Sequence, residues 1–164
     1  MPSSEKEQFI QNWEREFQTT LKVLKSYPEK KYDLKPHEKA KSAKELAWVF
    51  VNAEKALIDG AITGKFDFSN SQPPKSNLKE IISTYETVHR ENVEKVKKLN
   101  DKDLNKTVKF MTGPNKMGDI RAADILWTSL MDSIHHRGQF SVYLRMAGGK
   151  VPSIYGPTAD EPWM

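Results

Sequence analysis

Apolar residues recur at helical spacing in four stretches of this chain, separated by segments rich in polar residues, proline and glycine. In the first, Phe9, Trp13, Phe17, Leu21 and Leu24 return every three or four positions. Ser4 and Glu7 precede them with the spacing of a capping box, in which each side chain satisfies a backbone N–H left free by the first turn. Pro28 stops the pattern, so a helix is predicted over 4–27. A second helix is predicted to start at Ser42, with Glu45 completing its cap. Its apolar face is Leu46, Val49, Phe50, Ala53 and Leu57, and it should end near Gly60 or Gly64. Trp48 lies beside that face, where core packing is the first reading and a pocket wall or dimer contact the alternative. A third helix is predicted from about Asn77 to position 100, carried by Leu78, Ile81, Ile82, Tyr85, Val88, Val96 and Leu99. A fourth is predicted over 120–147, ended by Gly148 and Gly149.

The intervening segments read differently. His37 follows a proline among charged residues and should be solvated. His89 stands next to Arg90 and Glu91, which suggests partial exposure. The loop over 66–76 holds Pro73 and Pro74. Over 104–117 the helical period fails, a weak alternation appears, and Gly113-Pro114-Asn115 turns the chain. This predicts an extended crossover or short hairpin between helices three and four. The tail over 151–162 is too rich in proline and glycine for helix, but Ile154, Tyr155 and Trp163 should pack it back on the bundle. The expected architecture is all-α, one domain over 1–164.

The fourth helix carries the chemistry. At about 100° per residue, Ala123, Trp127, Leu130, Ile134 and Gly138 share one face, the expected core seam. Asp132 and His136 fall on a second strip with Ile125, Gln139, Phe140 and Tyr143. Being four residues apart, they stack one turn above the other. A carboxylate and an imidazole so placed can share a metal ion or a proton, or can simply hydrogen-bond on the helix surface. Arg137 points elsewhere and should reach a neighbouring helix as a salt bridge. Gly138 either permits close helix approach or costs about 1 kcal/mol of helix propensity.

Composition narrows the function classes. Among 164 residues, 29% are charged and the net charge is only +4, with lysines interspersed among acids. No basic patch with interleaved aromatics appears, so nucleic acid is not an expected partner. No apolar run reaches membrane-spanning length, and the N-terminal residues lack an apolar signal core, so a cytoplasmic protein is expected. With no cysteine, any transition-metal site must use His, Asp, Glu or water.

Four helices, the run Ile134-His135-His136-Arg137-Gly138-Gln139, the tail Pro152-Ser153-Ile154-Tyr155-Gly156-Pro157-Thr158-Ala159-Asp160-Glu161 and the helix-two stretch from Glu45 to Glu54 together resemble the DinB-like (DinB/YfiT) superfamily across nearly the whole chain. The resemblance implies a DinB-like four-helix bundle, often a homodimer. It also implies an open divalent-metal site held by three histidines, one from helix two and two from an H-x-x-x-H on the last helix. Relatives include thiol-dependent S-transferases and metal-dependent hydrolases, and many have no assigned activity. Carried onto this chain, the second histidine of the last-helix motif is His136, and its partner is Asp132 in place of histidine. The helix-two position is Val49, where the family tends to read histidine, and valine ligates nothing. Asn52, one turn on, is a poor ligand, and Glu45 is committed to its cap.

These departures favour a degenerate metal site, in a bundle that binds a small ligand or acts without catalysis, with Val49, Asn52, His135, Gln139 and Tyr143 around the former site. The alternative is a divalent-metal-dependent hydrolase or thiol S-transferase, with Zn or Ni held weakly by His136 and Asp132. It would need a third ligand such as His89 or His135.

Overall fold

The computed structural model describes residues 3–73 and 77–164, so Met1, Pro2, and the loop residues Pro74, Lys75 and Ser76 lie outside the description. Four long helices, α1 (Glu5–Lys25), α2 (Ala43–Thr63), α3 (Leu78–Lys97) and α5 (Ala122–Met146), form the bundle. A short helix α4 (Asp101–Asn105) and a hairpin of β1 (Thr107–Gly113) and β2 (Lys116–Arg121) join α3 to α5. The crossover is therefore a two-stranded antiparallel sheet, turned at Asn115, the one described non-glycine residue with positive φ. Among the described residues, no helix is long and apolar enough to cross a membrane.

The helix starts follow from local chemistry. Ser4 and Glu7 cap α1 reciprocally at 2.8 and 3.2 Å, and Ser42 and Glu45 cap α2 at 2.6 and 3.3 Å. Asn77 caps α3 by accepting from the Glu80 amide. The third helix stops at Lys97, earlier than its apolar pattern suggests, because Asn100 and Asp103 form a capping box that starts α4. α5 starts at Ala122 with no side-chain cap; its first amide is held instead by the Lys106 carbonyl at 2.8 Å. α2 ends on Gly64 in the left-handed region.

The principal packing pairs are α2 with α5, α2 with α3, α1 with α5 and α1 with α3. Around the bundle the order is therefore α1, α5, α2, α3, and the consecutive helices α1 and α2 stand diagonally. α2 is buried on more sides than one apolar stripe implies: Ala47, Trp48 and Val51 are as buried as Leu46 and Phe50. Trp48 packs in the core, and its indole N–H donates to the Asn70 carbonyl of the loop that covers this side. At Gly60 a Cβ would run into the Phe66 ring, so the same loop lies directly on the α2 backbone.

The core divides into two apolar clusters. Phe17, Leu24, Phe50, Tyr85, Phe140 and Leu144 belong to one, and Phe9, Trp13, Leu57, Val96, Leu126 and Leu130 to the other. Between them in sequence, on every long helix, sit buried polar residues: Glu16 on α1, Glu54 on α2, His89 and Asn92 on α3, and Arg137 on α5. Arg137 does reach a neighbouring helix. It meets the Glu16 carboxylate at 2.7 Å, with both side chains within a few per cent of complete burial. Tyr155 from the tail closes this cluster, accepting from Arg137 at 2.5 Å and donating to Glu16 at 2.6 Å. The tail is thus latched to the bundle through the Tyr155 hydroxyl, and Asp160 ties it again to Arg145 and to the Val151 amide.

The seam of α5 differs from the sequence reading. Its buried line runs through Ala122, Leu126, Ser129, Arg137, Phe140 and Leu144. Trp127 and Ile134 are half-buried and Gly138 is exposed, with nothing near the place of a Cβ. Gly138 therefore serves no close helix approach. The reason is the polar cluster: placing Arg137 beside Glu16 rotates the helix so that small Ser129 and charged Arg137, rather than Ile134, face inward.

Burial alone would raise the Glu16 carboxyl, but hydrogen bonds from Tyr155 and Arg137, with Arg137's charge, outweigh it and hold it below 4.5. A carboxyl lowered on folding stabilises the protein above its unfolded value, and that stabilisation is lost as pH falls through the folded value. An NMR titration of the Glu16 side-chain carbon should give a midpoint below 4.5, with unfolding approached from the acid side; a midpoint at or above 4.5 would mean that the cluster does not hold the charged form.

Candidate functional site

His136 sits on α5 where α2 crosses it. Val49, Phe50, Ala53 and Glu54 of α2 and Ser129, Asp132, Ser133 and His136 of α5 line one narrow cleft. The helical register read from the sequence thus brings Val49, Asp132 and His136 together. The Nδ1 of His136 lies 3.0 Å from the backbone carbonyl of Asp132 and 3.6 Å from its carboxylate. A carbonyl only accepts, so Nδ1 carries a proton and, in the neutral ring, Nε2 keeps the free lone pair. Phe50 packs edge-on to the ring at 6.4 Å.

The space inside this cleft is about 10 Å³, less than a single ordered water comfortably needs. Val49 lines the cleft along with these two polar side chains. On its outer side His136 borders a wider depression of about 520 Å³, shared with Ala40, Lys41, Leu46, Gln139, Val142 and Tyr143. The Tyr143 hydroxyl donates to the Lys41 carbonyl at 2.9 Å, and burial raises its pKa, with the charge of Glu45 adding to it. Gln139 and Tyr143 thus lie in the depression rather than in the cleft. His135 is exposed and meets Gln139 at 3.0 Å, and Asn52 lines a different depression with Trp48 and Asp59.

These donors do not fit a closed transition-metal centre. Such a centre takes three or four protein ligands; of the three ligating side chains that line the cleft, His136, Asp132 and Glu54, the Glu54 carboxylate is engaged by His89 and Asn92 of α3. Val49 lines the cleft where a third donor would stand. Among the described residues no group of three or more His, Asp or Glu side chains is placed to hold an ion.

His89 is the residue the sequence reading misplaced. It is 2% exposed, stacked on Phe17 at 3.6 Å and edge-on to Trp13 at 4.6 Å. Its charged neighbours Arg90 and Glu91 suggested solvent, but its spacing from Tyr85 and Val93 puts it in line with the buried stripe of α3. Glu54 was equally legible, four residues after Phe50 and three before Leu57. The Glu54 carboxylate accepts from His89 Nδ1 at 3.1 Å and from the Asn92 amide at 3.4 Å. Glu54 therefore faces the α2/α5 cleft on one side and the interior of α3 on the other. The Tyr85 phenol, wholly buried beside it, is pushed well above its ordinary value by burial, with the charge of Glu54 adding to the shift.

Comparison with known proteins agrees with this architecture. The DinB family model matches residues 1–163. An uncharacterized protein of Bacillus subtilis, YrdA, is 26% identical over 159 residues, 93% of this chain and 89% of its own length. A DinB-like protein from Bacillus cereus superimposes with a TM-score of 0.77 at 26% identity, over 91% of this chain and 97% of that one. YfiT from Bacillus subtilis superimposes with a TM-score of 0.70 at 13% identity, over 90% of this chain and 91% of its own. It is described as a "probable metal-dependent hydrolase with an unusual four-helix bundle topology". At that identity the likeness extends to the fold.

The His136 ring offers a direct check of the cleft geometry. Long-range nitrogen–proton spectra of the neutral ring should show the Nδ1–H tautomer, as its bond to the Asp132 carbonyl requires. A dominant Nε2–H tautomer would place the ring in another orientation.

Proposed function

Because the chain belongs to the DinB family, we propose that it is a member whose metal position has lapsed, keeping the bundle as a small-ligand-binding or non-catalytic protein. The observation that carries this reading is Val49. It lines the α2/α5 cleft together with Asp132 and His136, where a third donor would be required, and the space inside that cleft is about 10 Å³. The candidate ligand site is the wider depression beside His136. Gln139 supplies a flexible amide and Leu46 an apolar wall there, and Tyr143 is fixed through its bond to Lys41. A small molecule with both a polar and an apolar part suits that lining.

The competing reading is a metal-dependent hydrolase or thiol S-transferase. It requires a Zn or Ni ion on His136 and Asp132, and the other carboxylate of the cleft, Glu54, is engaged by His89 and Asn92. The experiment separating the two is to restore the missing imidazoles. Val49→His with Asp132→His should create a zinc site, seen as a zinc-dependent shift of the His136 ring resonances, whereas the parent ring should not move. A parent His136 ring that shifts at stoichiometric zinc would favour the enzyme. A double variant that stays silent would count against the assigned register.

The same reading includes a homodimer. Met131, Val142 and Met146 are each more than half exposed and fall on one face of α5, with His135 and Gly138 between them. This apolar stripe along one helix suits the same helix of a second copy. Sedimentation equilibrium should give twice the chain mass, and Val142→Lys should shift the population toward monomer. A monomeric parent at micromolar concentration would remove this part of the proposal.

A further inference from the structure

The outward side of α5 has a repeat of its own. From Asp124 it steps by four and three residues in alternation through Thr128, Met131, His135, Gly138 and Val142 to Arg145, all of them exposed. Met131 and Val142 are each 59% exposed. This is a heptad seam about 30 Å long. Its 3.5-residue period is the one by which a helix packs lengthwise on another helix at a small angle.

Gly138 lies within this seam. Inside one chain it serves no contact, since nothing stands near the place of its Cβ, and glycine in mid-helix costs helix propensity. Between two copies it has a use: an absent side chain on an exposed seam admits a bulky one from a second helix.

The seam matches itself in one arrangement. In a parallel pair each residue meets its own copy, so Arg145 would meet Arg145, Asp124 would meet Asp124, and facing glycines would leave a gap. In an antiparallel pair that sets Met131 on Val142, His135 falls on Gly138 and Thr128 on Arg145. Apolar then meets apolar, large meets small, and a guanidinium meets a hydroxyl one turn from the partner's Asp124. Sliding the pair by one heptad opposes Asp124 to Val142 in one direction and Arg145 to His135 in the other. Arg121 and Asp160 already partner Asp124 and Arg145 within the chain, so these charges select the orientation more than they hold the copies together.

We propose that two copies of this chain pack α5 on α5 antiparallel, about a two-fold axis level with His136 and Arg137, with each Met131 seated on the partner's Val142. Val142 also lines the depression beside His136. The partner's Met131 therefore supplies an apolar wall of the candidate ligand site, and each site is complete only in the dimer. This rests on the homodimer reading above and adds to it an orientation, a register and a residue shared across the interface.

The chain has no cysteine, so disulfide trapping starts from a clean background. Met131→Cys and Val142→Cys are made singly and together in the full chain, oxidised with copper phenanthroline and resolved by non-reducing electrophoresis, with the parent run by sedimentation equilibrium. The double variant, and an equal mixture of the two singles, should give covalent dimer. Either single alone should give at least roughly ten-fold less, because like positions stand about 16 Å apart along the axis, beyond the reach of a disulfide. Gly138→Leu should weaken self-association at least roughly ten-fold without loss of helical circular dichroism. With a dimeric parent, trapping by a single alone, no trapping in either the double variant or the mixture, or undiminished association of Gly138→Leu would overturn the antiparallel register and leave the homodimer reading standing. A monomeric parent would overturn both.

Discussion

Charge inside a dry bundle must be matched where it stands, and that requirement organises this protein. Glu16, Glu54, His89 and Arg137 come one from each long helix, and all are 5% exposed or less. Removing an ionised group from water costs several kcal/mol unless a partner replaces the solvent. Arg137 finds Glu16 and the Tyr155 hydroxyl, and His89 finds Glu54. Each pairing joins different elements, so sliding any helix by one turn would strand a buried charge. The apolar clusters on either side supply the driving force for burial, whereas the polar residues between them specify one register. The tail is drawn into the same scheme because Glu16 and Arg137 together need the Tyr155 hydroxyl.

That register decides what the α2/α5 cleft contains. With Arg137 turned inward toward α1, Asp132 and His136 are carried to the flank of α5 that meets α2, and Glu54 pointing inward leaves Val49 and Ala53 facing them. A relative with imidazole at these positions could hold a cation with the same backbone. Here valine lines that space, His136 turns its Nδ1 to its own helix, and the cleft is narrow.

Much of this was legible in the sequence, for physical reasons that differ by residue. The capping boxes at Ser4 and Ser42 depend only on atoms three residues apart. The meeting of Val49 with Asp132 and His136 needed just the 3.6-residue period and the family resemblance. The salt bridge of Arg137 could be expected because arginine on an apolar helix demands a partner, but Glu16 could not be named, since which helix lies adjacent is a tertiary fact. The inward line of α5 was misjudged because hydropathy favours Ile134 over Ser129 and Arg137, and the ion pair overrode it. His89 was read as exposed from its charged neighbours in sequence, although its helical neighbours Tyr85 and Val93 mark a buried face. The helix α4 escaped notice because it is only five residues long, but the Asn100–Asp103 cap announces it.

The central claim is that a hydrophobic side chain has taken the place of a cation's ligand between α2 and α5. The most direct measurement is a crystal structure from crystals soaked in zinc, with anomalous difference maps calculated at the zinc edge. The account predicts no anomalous peak within bonding distance of His136, with Val49 in van der Waals contact across a closed cleft. A strong peak coordinated by His136 Nε2 and Asp132, with the cleft opened to admit water, would contradict it.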